Sequence, residues 1–124
     1  MKMFRQGGSL LLLLAFLASS LVLATSASAA PITLKGKVGP GFTISVTMNG
    51  KRVKKLKAGR TYRLIVTDRA TIHDFHLSGP GYNKVITSDP FVGTKTVLLK
   101  LKKGTYTYRC DPHASVMHGS FKAV

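Results

Sequence analysis

From Ile32 onward, apolar and polar side chains alternate with a period of two, and no stretch repeats its apolar positions at helical spacing. Ile32-Thr33-Leu34-Lys35-Gly36-Lys37-Val38 alternates, Gly39-Pro40-Gly41 breaks the pattern, and Phe42 to Met48 resumes it. Asn49-Gly50 predicts a two-residue hairpin into a strand over Lys51 to Leu56. After Lys57-Ala58-Gly59, strands are predicted over Arg60 to Thr67 and Thr71 to Leu77. Ser78 to Pro90 carries Gly79-Pro80-Gly81 and Asp89-Pro90, which predicts a loop or irregular excursion. Strands over Lys95 to Leu101, Thr105 to Cys110 and Ser120 to Val124 complete the set. Leu56 to Tyr62 and Leu101 to Tyr106 each take a lysine-glycine turn into a tyrosine-bearing strand, the same turn chemistry used twice. Seven or eight short strands with regularly spaced turns predict an all-β chain folded as an antiparallel β-sandwich.

The first 29 residues read differently. Lys2 and Arg5 give a positive start, Leu10 to Leu23 is an apolar run interrupted only by Ser19 and Ser20, and Ala27-Ser28-Ala29 offers a small-x-small cleavage site. This is the pattern of a secretory signal peptide over 1–29, leaving a single domain over 30–124 in the periplasm, the cell envelope or the extracellular space. An uncleaved membrane anchor is the other reading, although the run is short for a spanning helix. A lipid anchor is excluded, because no cysteine lies near the cleavage site.

Without Lys2 and Arg5 the chain keeps 17 basic residues against four aspartates and no glutamate, a formal charge of +13. The basic residues are scattered and often alternate with apolar ones, as on a solvated sheet face, and an exported protein meets little nucleic acid. The charge therefore implies an acidic protein partner or an anionic envelope or membrane surface, against the plainer reading of a solubilising surface.

Cys110 is the only cysteine, so it has no internal partner. Around it stand Asp111-Pro112-His113 and Met117-His118-Gly119, in a loop between two predicted strands. A thiolate, two imidazoles and a weak axial thioether form a blue copper site; Cys110, His113 and Met117 supply three of these donors, and His73 or His76 can supply the fourth. A zinc site of Cys110, His113, His118 and His73 is the competing arrangement, but structural zinc sites commonly use paired cysteines and gain little from a thioether. No acid-base pair, catalytic triad or phosphate loop is present, and no His-x-His pair of the kind multicopper oxidases need, so the chain is not expected to be an enzyme.

Thr105-Tyr106-Thr107-Tyr108-Arg109-Cys110-Asp111-Pro112-His113, followed by Met117-His118-Gly119-Ser120-Phe121, resembles the copper-binding end of cupredoxins of the plastocyanin and azurin type. Upstream, Ile72-His73-Asp74-Phe75 resembles the family's His-Asn-hydrophobic motif. The resemblance implies a Greek-key β-sandwich, one copper ion cycling between Cu(I) and Cu(II), and ligation by His73, Cys110, His113 and Met117. It also implies one-electron transfer between redox partners, here by a monomer.

Three points qualify the resemblance. Asp74 stands where Asn is usual, and a carboxylate accepts hydrogen bonds but does not donate them unless protonated. Met117 lies four residues after His113, as in azurin-like loops, whereas the plastocyanin-like axial position is occupied by His118. His76 competes with His73 as the upstream ligand; on a strand the two would face opposite sides. A protein that stores or delivers copper, and a metal-free adhesion module crosslinked through Cys110, are the rival functions.

Overall fold

The computed structural model describes Met3 and residues 19–124, so most of the expected signal peptide, residues 1–2 and 4–18, lies outside the described residues. Among the described residues no helix is long and apolar enough to cross a membrane.

Among the described residues, ten strands form two five-stranded sheets packed face to face. The first sheet takes β1 (Ile32–Val38), β2 (Ile44–Met48), β3 (Lys51–Arg52), β5 (Thr61–Asp68) and β8 (Gly93–Lys100), in the order β3-β2-β1-β5-β8. The second takes β4 (Lys55–Leu56), β6 (Phe75–Gly79), β7 (Tyr82–Thr87), β9 (Gly104–Arg109) and β10 (His118–Ala123), in the order β4-β10-β9-β6-β7. The expected Greek-key sandwich is present, with one correction: the sheets are mixed. β1 runs parallel to β5, from Ile32 opposite Tyr62 to Val38 opposite Asp68, and β4 runs parallel to β10. Alternation specifies which side chains point inward but not which strand lies beside which, so these two parallel pairings were invisible to it.

The inward positions of both sheets meet in one core. Leu34, Val46, Leu64 and Val66 from the first sheet face Phe75, Leu77, Tyr106, Tyr108 and Phe121 from the second, all nearly or wholly buried. Each such side chain contributes about 1.5–3 kcal/mol by leaving water. Two aromatic pairs stack within the second sheet, Phe75 on Tyr108 and Tyr106 on Phe121.

Asn49 and Gly50 both adopt positive φ, 50° and 76°, the turn that matches strand twist and closes the predicted hairpin from Met48 to Lys51. The strand expected over Lys51 to Leu56 is instead two short pieces. The chain leaves the first sheet after Arg52, buries Val53 and joins the second sheet at Lys55. Ser78 to Pro90 also departs from expectation, because most of it is the end of β6, a Pro80-Gly81 turn and β7. β7 is an edge strand with Asn83, Lys84 and Val85 exposed, so it lacks the alternation of a strand buried on one face.

The connections sort to two ends of the sandwich. At one end lie the loops 39–43, 69–74, 88–92 and 110–117. At the other lie the turns 49–50, 57–60, 80–81 and 101–103. The chain enters β1 at this second end, where Ile32 pairs with Tyr62, and finishes there, where Val124 exchanges backbone hydrogen bonds with Leu56 and Ala58.

Candidate metal centre

The loop that carries most of the expected donors is a hairpin connection between β9 and β10. The Cys110 amide donates to the Met117 carbonyl at 3.0 Å, one rung beyond the last strand pair, and closes the loop. Asp111 to His113 form a single tight turn with Pro112 near its start, where a missing amide hydrogen costs nothing. The His113 amide donates to the Cys110 carbonyl at 3.1 Å, and the Met117 amide donates to the His113 carbonyl at 2.9 Å. Cys110, His113 and Met117 are thus fixed relative to one another by backbone bonds, and Cys110 and Met117 are wholly buried.

His73 arrives from the other side. It lies in the loop before β6, since β6 begins at Phe75 rather than at the expected Thr71, and its ring is wholly buried. Its Nε2 is 2.7 Å from the Gly41 carbonyl oxygen. A carbonyl only accepts, so Nε2 carries the hydrogen and Nδ1 presents its lone pair. Gly41 has a φ of 68°, in the left-handed region. Sequence reasoning saw Gly39-Pro40-Gly41 only as a break in a strand; a backbone acceptor leaves no side-chain signal.

The His73 Nδ1 and His113 Nδ1 stand 3.1 Å apart, and the Cys110 Sγ is 3.6 Å from the first and 3.5 Å from the second. A point equidistant from three atoms so spaced lies about 2 Å from each, the bond length of imidazole nitrogen to a first-row divalent metal and close to that of a thiolate. Among the described residues, these three side chains form the one group of His, Cys or carboxylate donors arranged to hold an ion.

Four further groups shape the site. The Asp74 amide points at the Cys110 sulfur at 3.5 Å, while Asp74 Oδ1 accepts from the Asp111 amide at 2.6 Å. The carboxylate at position 74 thus ties the two donor loops together through its acceptor function alone. Phe42, which the sequence did not single out, sets its ring edge-on to both imidazoles, 5.7 Å from His73 and 4.9 Å from His113 between centroids. Gly119 follows the buried Met117 by two residues, and a Cβ there would lie 2.4 Å from the Tyr108 ring. Glycine is the residue that lets Tyr108 lie across its cross-strand partner.

Burial pushes the Cys110 thiol up, against the downward pull of the Asp74 and His113 amides. Burial also raises the Asp74 carboxyl, and the nearby Asp111 carboxylate adds to that rise. Burial opposes ionisation of Asp111 as well, but hydrogen bonds with Arg109 and His76 outweigh it and lower its pKa to about 2. A neutral thiol must give up its proton to ligate a metal, so metal uptake here is coupled to proton release.

The rival donors are placed elsewhere. His76, on β6, turns Nδ1 to Asp111 at 2.8 Å and Nε2 to Asn83, away from the cluster. His118 is exposed, and its Nδ1 donates to the Ala114 carbonyl at 2.8 Å, whereas its neighbour Met117 is buried. Successive residues entering a strand face opposite ways, which explains why only one of this pair points inward.

Two packed β-sheets carry, at one end, a His-Cys-His cluster arranged to hold a metal ion and a buried methionine, and this is the fold of the cupredoxins. No family model and no curated protein matches the sequence. Solved structures do match the fold. Rusticyanin from Thiobacillus ferrooxidans superimposes with a TM-score of 0.57 at 21% identity, over 78% of this chain and 79% of that one. A second rusticyanin structure, described as that of a copper protein, matches with a TM-score of 0.57 at 19% identity, over 78% and 80%. Auracyanin A, a blue copper protein from the green thermophilic photosynthetic bacterium Chloroflexus aurantiacus, matches with a TM-score of 0.54 at 16% identity, over 77% of this chain and 100% of that one.

Proposed function

We propose that this chain is a type 1 copper protein, an exported one-electron carrier between redox partners, with His73, Cys110, His113 and Met117 as its copper ligands. The observation that carries the reading is the donor triangle: three side chains from two loops already stand around one point, Cys110 and His113 held by backbone hydrogen bonds and the His73 ring by the Gly41 carbonyl. Copper, when bound, supplies a one-electron couple. A donor set held in place changes little between the two oxidation states, which suits electron transfer better than storage or delivery, where the ion must leave.

The protein's own residues supply position and access. His73, behind Phe42 and bonded to Gly41, and the buried Cys110 keep water from the site. His113 is only half-buried and is the donor nearest to solvent. Phe42, Ile72 and Val116, all exposed, sit in the loops that surround the donors and offer an apolar surface on which a redox partner docks. An acidic partner would be drawn in from a distance by the net charge, with an association rate that falls as salt is added. The signal peptide over 1–29 and a periplasmic or extracellular location belong to the same reading.

Titration of Cu(II) into the protein of residues 30–124, followed by visible absorption and electron paramagnetic resonance, tests the assignment. Intense blue absorption is expected for the parent, His76→Ala and His118→Ala proteins. Cys110→Ser and His73→Ala should abolish it, and Met117→Ala should shift it. Bleaching by His76→Ala with His73→Ala unaffected, or a colourless tight Cu(I) complex, would overturn the ligand set or the carrier role respectively.

A further inference from the structure

The end of the sandwich opposite the donors holds six basic residues between positions 51 and 60, three between 100 and 103, and Lys122, all exposed. No acidic residue lies at this end, because Asp68, Asp74, Asp89 and Asp111 all sit at or beside the donor loops. Both salt bridges among the described residues involve Asp111, so none of these basic side chains is neutralised within the fold. So many like charges on adjacent turns repel one another and destabilise the compact state, which calls for a counter-surface.

The surface between them is not purely polar. Ala58 and Gly59 line a shallow depression with Leu101, Lys100, Lys102 and Lys103, and share a second one with Lys57 and Arg60. An apolar floor rimmed by lysine stems suits contact with a headgroup layer, where long side chains keep the charge at the phosphates and lay methylenes along the acyl boundary. The chain also enters the fold here, since β1 starts at this end.

We propose that this basic end docks on an anionic lipid bilayer, with the donor end pointing away from it. Clustered lysines and arginines are attracted to the negative surface potential of anionic lipids, and several must act together for stable attachment. An eight-residue strand such as β5 spans roughly 26 Å at about 3.3 Å per residue, so the donor loops stand clear of the headgroups and remain open to other proteins. The inference goes beyond the copper reading and does not depend on the metal.

The test uses the protein of residues 30–124, which holds every strand of the described fold, without copper. Co-sedimentation is measured with vesicles of phosphatidylcholine alone and of phosphatidylcholine mixed with phosphatidylglycerol. Binding to the mixed vesicles should exceed binding to the neutral ones by at least about tenfold and weaken with salt. Lys54→Gln/Lys55→Gln/Lys102→Gln/Lys103→Gln should reduce it by at least about tenfold. Lys35→Gln/Lys37→Gln/Lys84→Gln/Lys95→Gln, which removes the same charge elsewhere, should retain most of it. A gadolinium-chelate lipid should broaden backbone amide signals over 57–60 and 101–104 and spare 111–117. Equal losses in the two quadruple variants, equal binding to neutral vesicles, broadening over 111–117, or displacement from the vesicles by a short DNA duplex of equal phosphate concentration would each overturn the proposal.

Discussion

The two ends of this sandwich are built on opposite principles. At the donor end the polar side chains around the cluster are paired individually: His73 with Gly41, Asp74 with the Asp111 amide, Asp111 with Arg109 and His76. At the far end the charged groups turn outward and none forms a salt bridge. The first end works through fixed position, so one misplaced atom matters and salt does little. The second works through a sum of charges, so no single residue matters and salt does much.

The sharpest separation of the two ends is a loss of colour. Cys110→Ser should remove the blue absorption of the copper-loaded protein completely, while the quadruple lysine variant of the far end keeps its spectrum unchanged; visible absorption decides.

A smaller but more searching comparison uses two glycines under two tyrosines. A Cβ at Gly119 would meet Tyr108 at 2.4 Å, and one at Gly79 would meet Tyr106 at 2.3 Å. Gly119→Ala and Gly79→Ala should each cost about 1–3 kcal/mol in urea denaturation, since neither ring can move without disturbing a stacked partner. Only Gly119→Ala should also shift the copper spectrum, because Gly119 stands two residues from Met117. Equal spectral shifts would break the contrast between the ends.

The pH dependence is next in size. Asn83, burial acting against it, and Asp111 together raise the His76 pKa, with Arg109 opposing. A raised histidine pKa adds stability that is complete below the ordinary value of 6.5 and is lost as pH rises through the raised value. His76→Gln should therefore lower the urea midpoint in acid and change it little in alkali; a loss that persists undiminished in alkali would mean packing, not charge, is at stake. The smallest effect expected is that of Lys102→Gln alone, within about 0.5 kcal/mol by the same measurement.

Much of this arrangement was legible in the sequence, and the reasons for the remainder are physical. Alternation located β1, β2, β5 and β9 because one face of each is buried, and it located β8, an edge strand buried only at Leu99, from its β-branched and apolar run; Asn49-Gly50 announced its turn. It missed β7, an edge strand without a buried face, and could not see that Lys51 to Leu56 changes sheets at Val53. For the site, side-chain chemistry pointed to Cys110, His113 and Met117 because soft donors are rare in one short loop. That only one of His73 and His76 reaches the site was argued by placing both on a strand, and His73 was chosen through the resemblance of Ile72-His73-Asp74-Phe75 to the family motif; in the fold His73 lies in a loop, and the two diverge because β6 starts between them. The Gly41 carbonyl and the covering Phe42 were illegible, since a backbone oxygen and an ordinary strand-edge aromatic carry no pattern.

Both termini of the folded domain lie at the basic end, Ile32 beside Tyr62 and Val124 beside Leu56 and Ala58. Either terminus is therefore a natural attachment point: a second domain fused before Ile32 or after Val124, or a linker to an electrode, would leave His113 and its apolar surround facing outward. Joining the two termini and opening the chain at the Pro80-Gly81 turn should likewise give a circular permutant whose donor loops keep their order and connections.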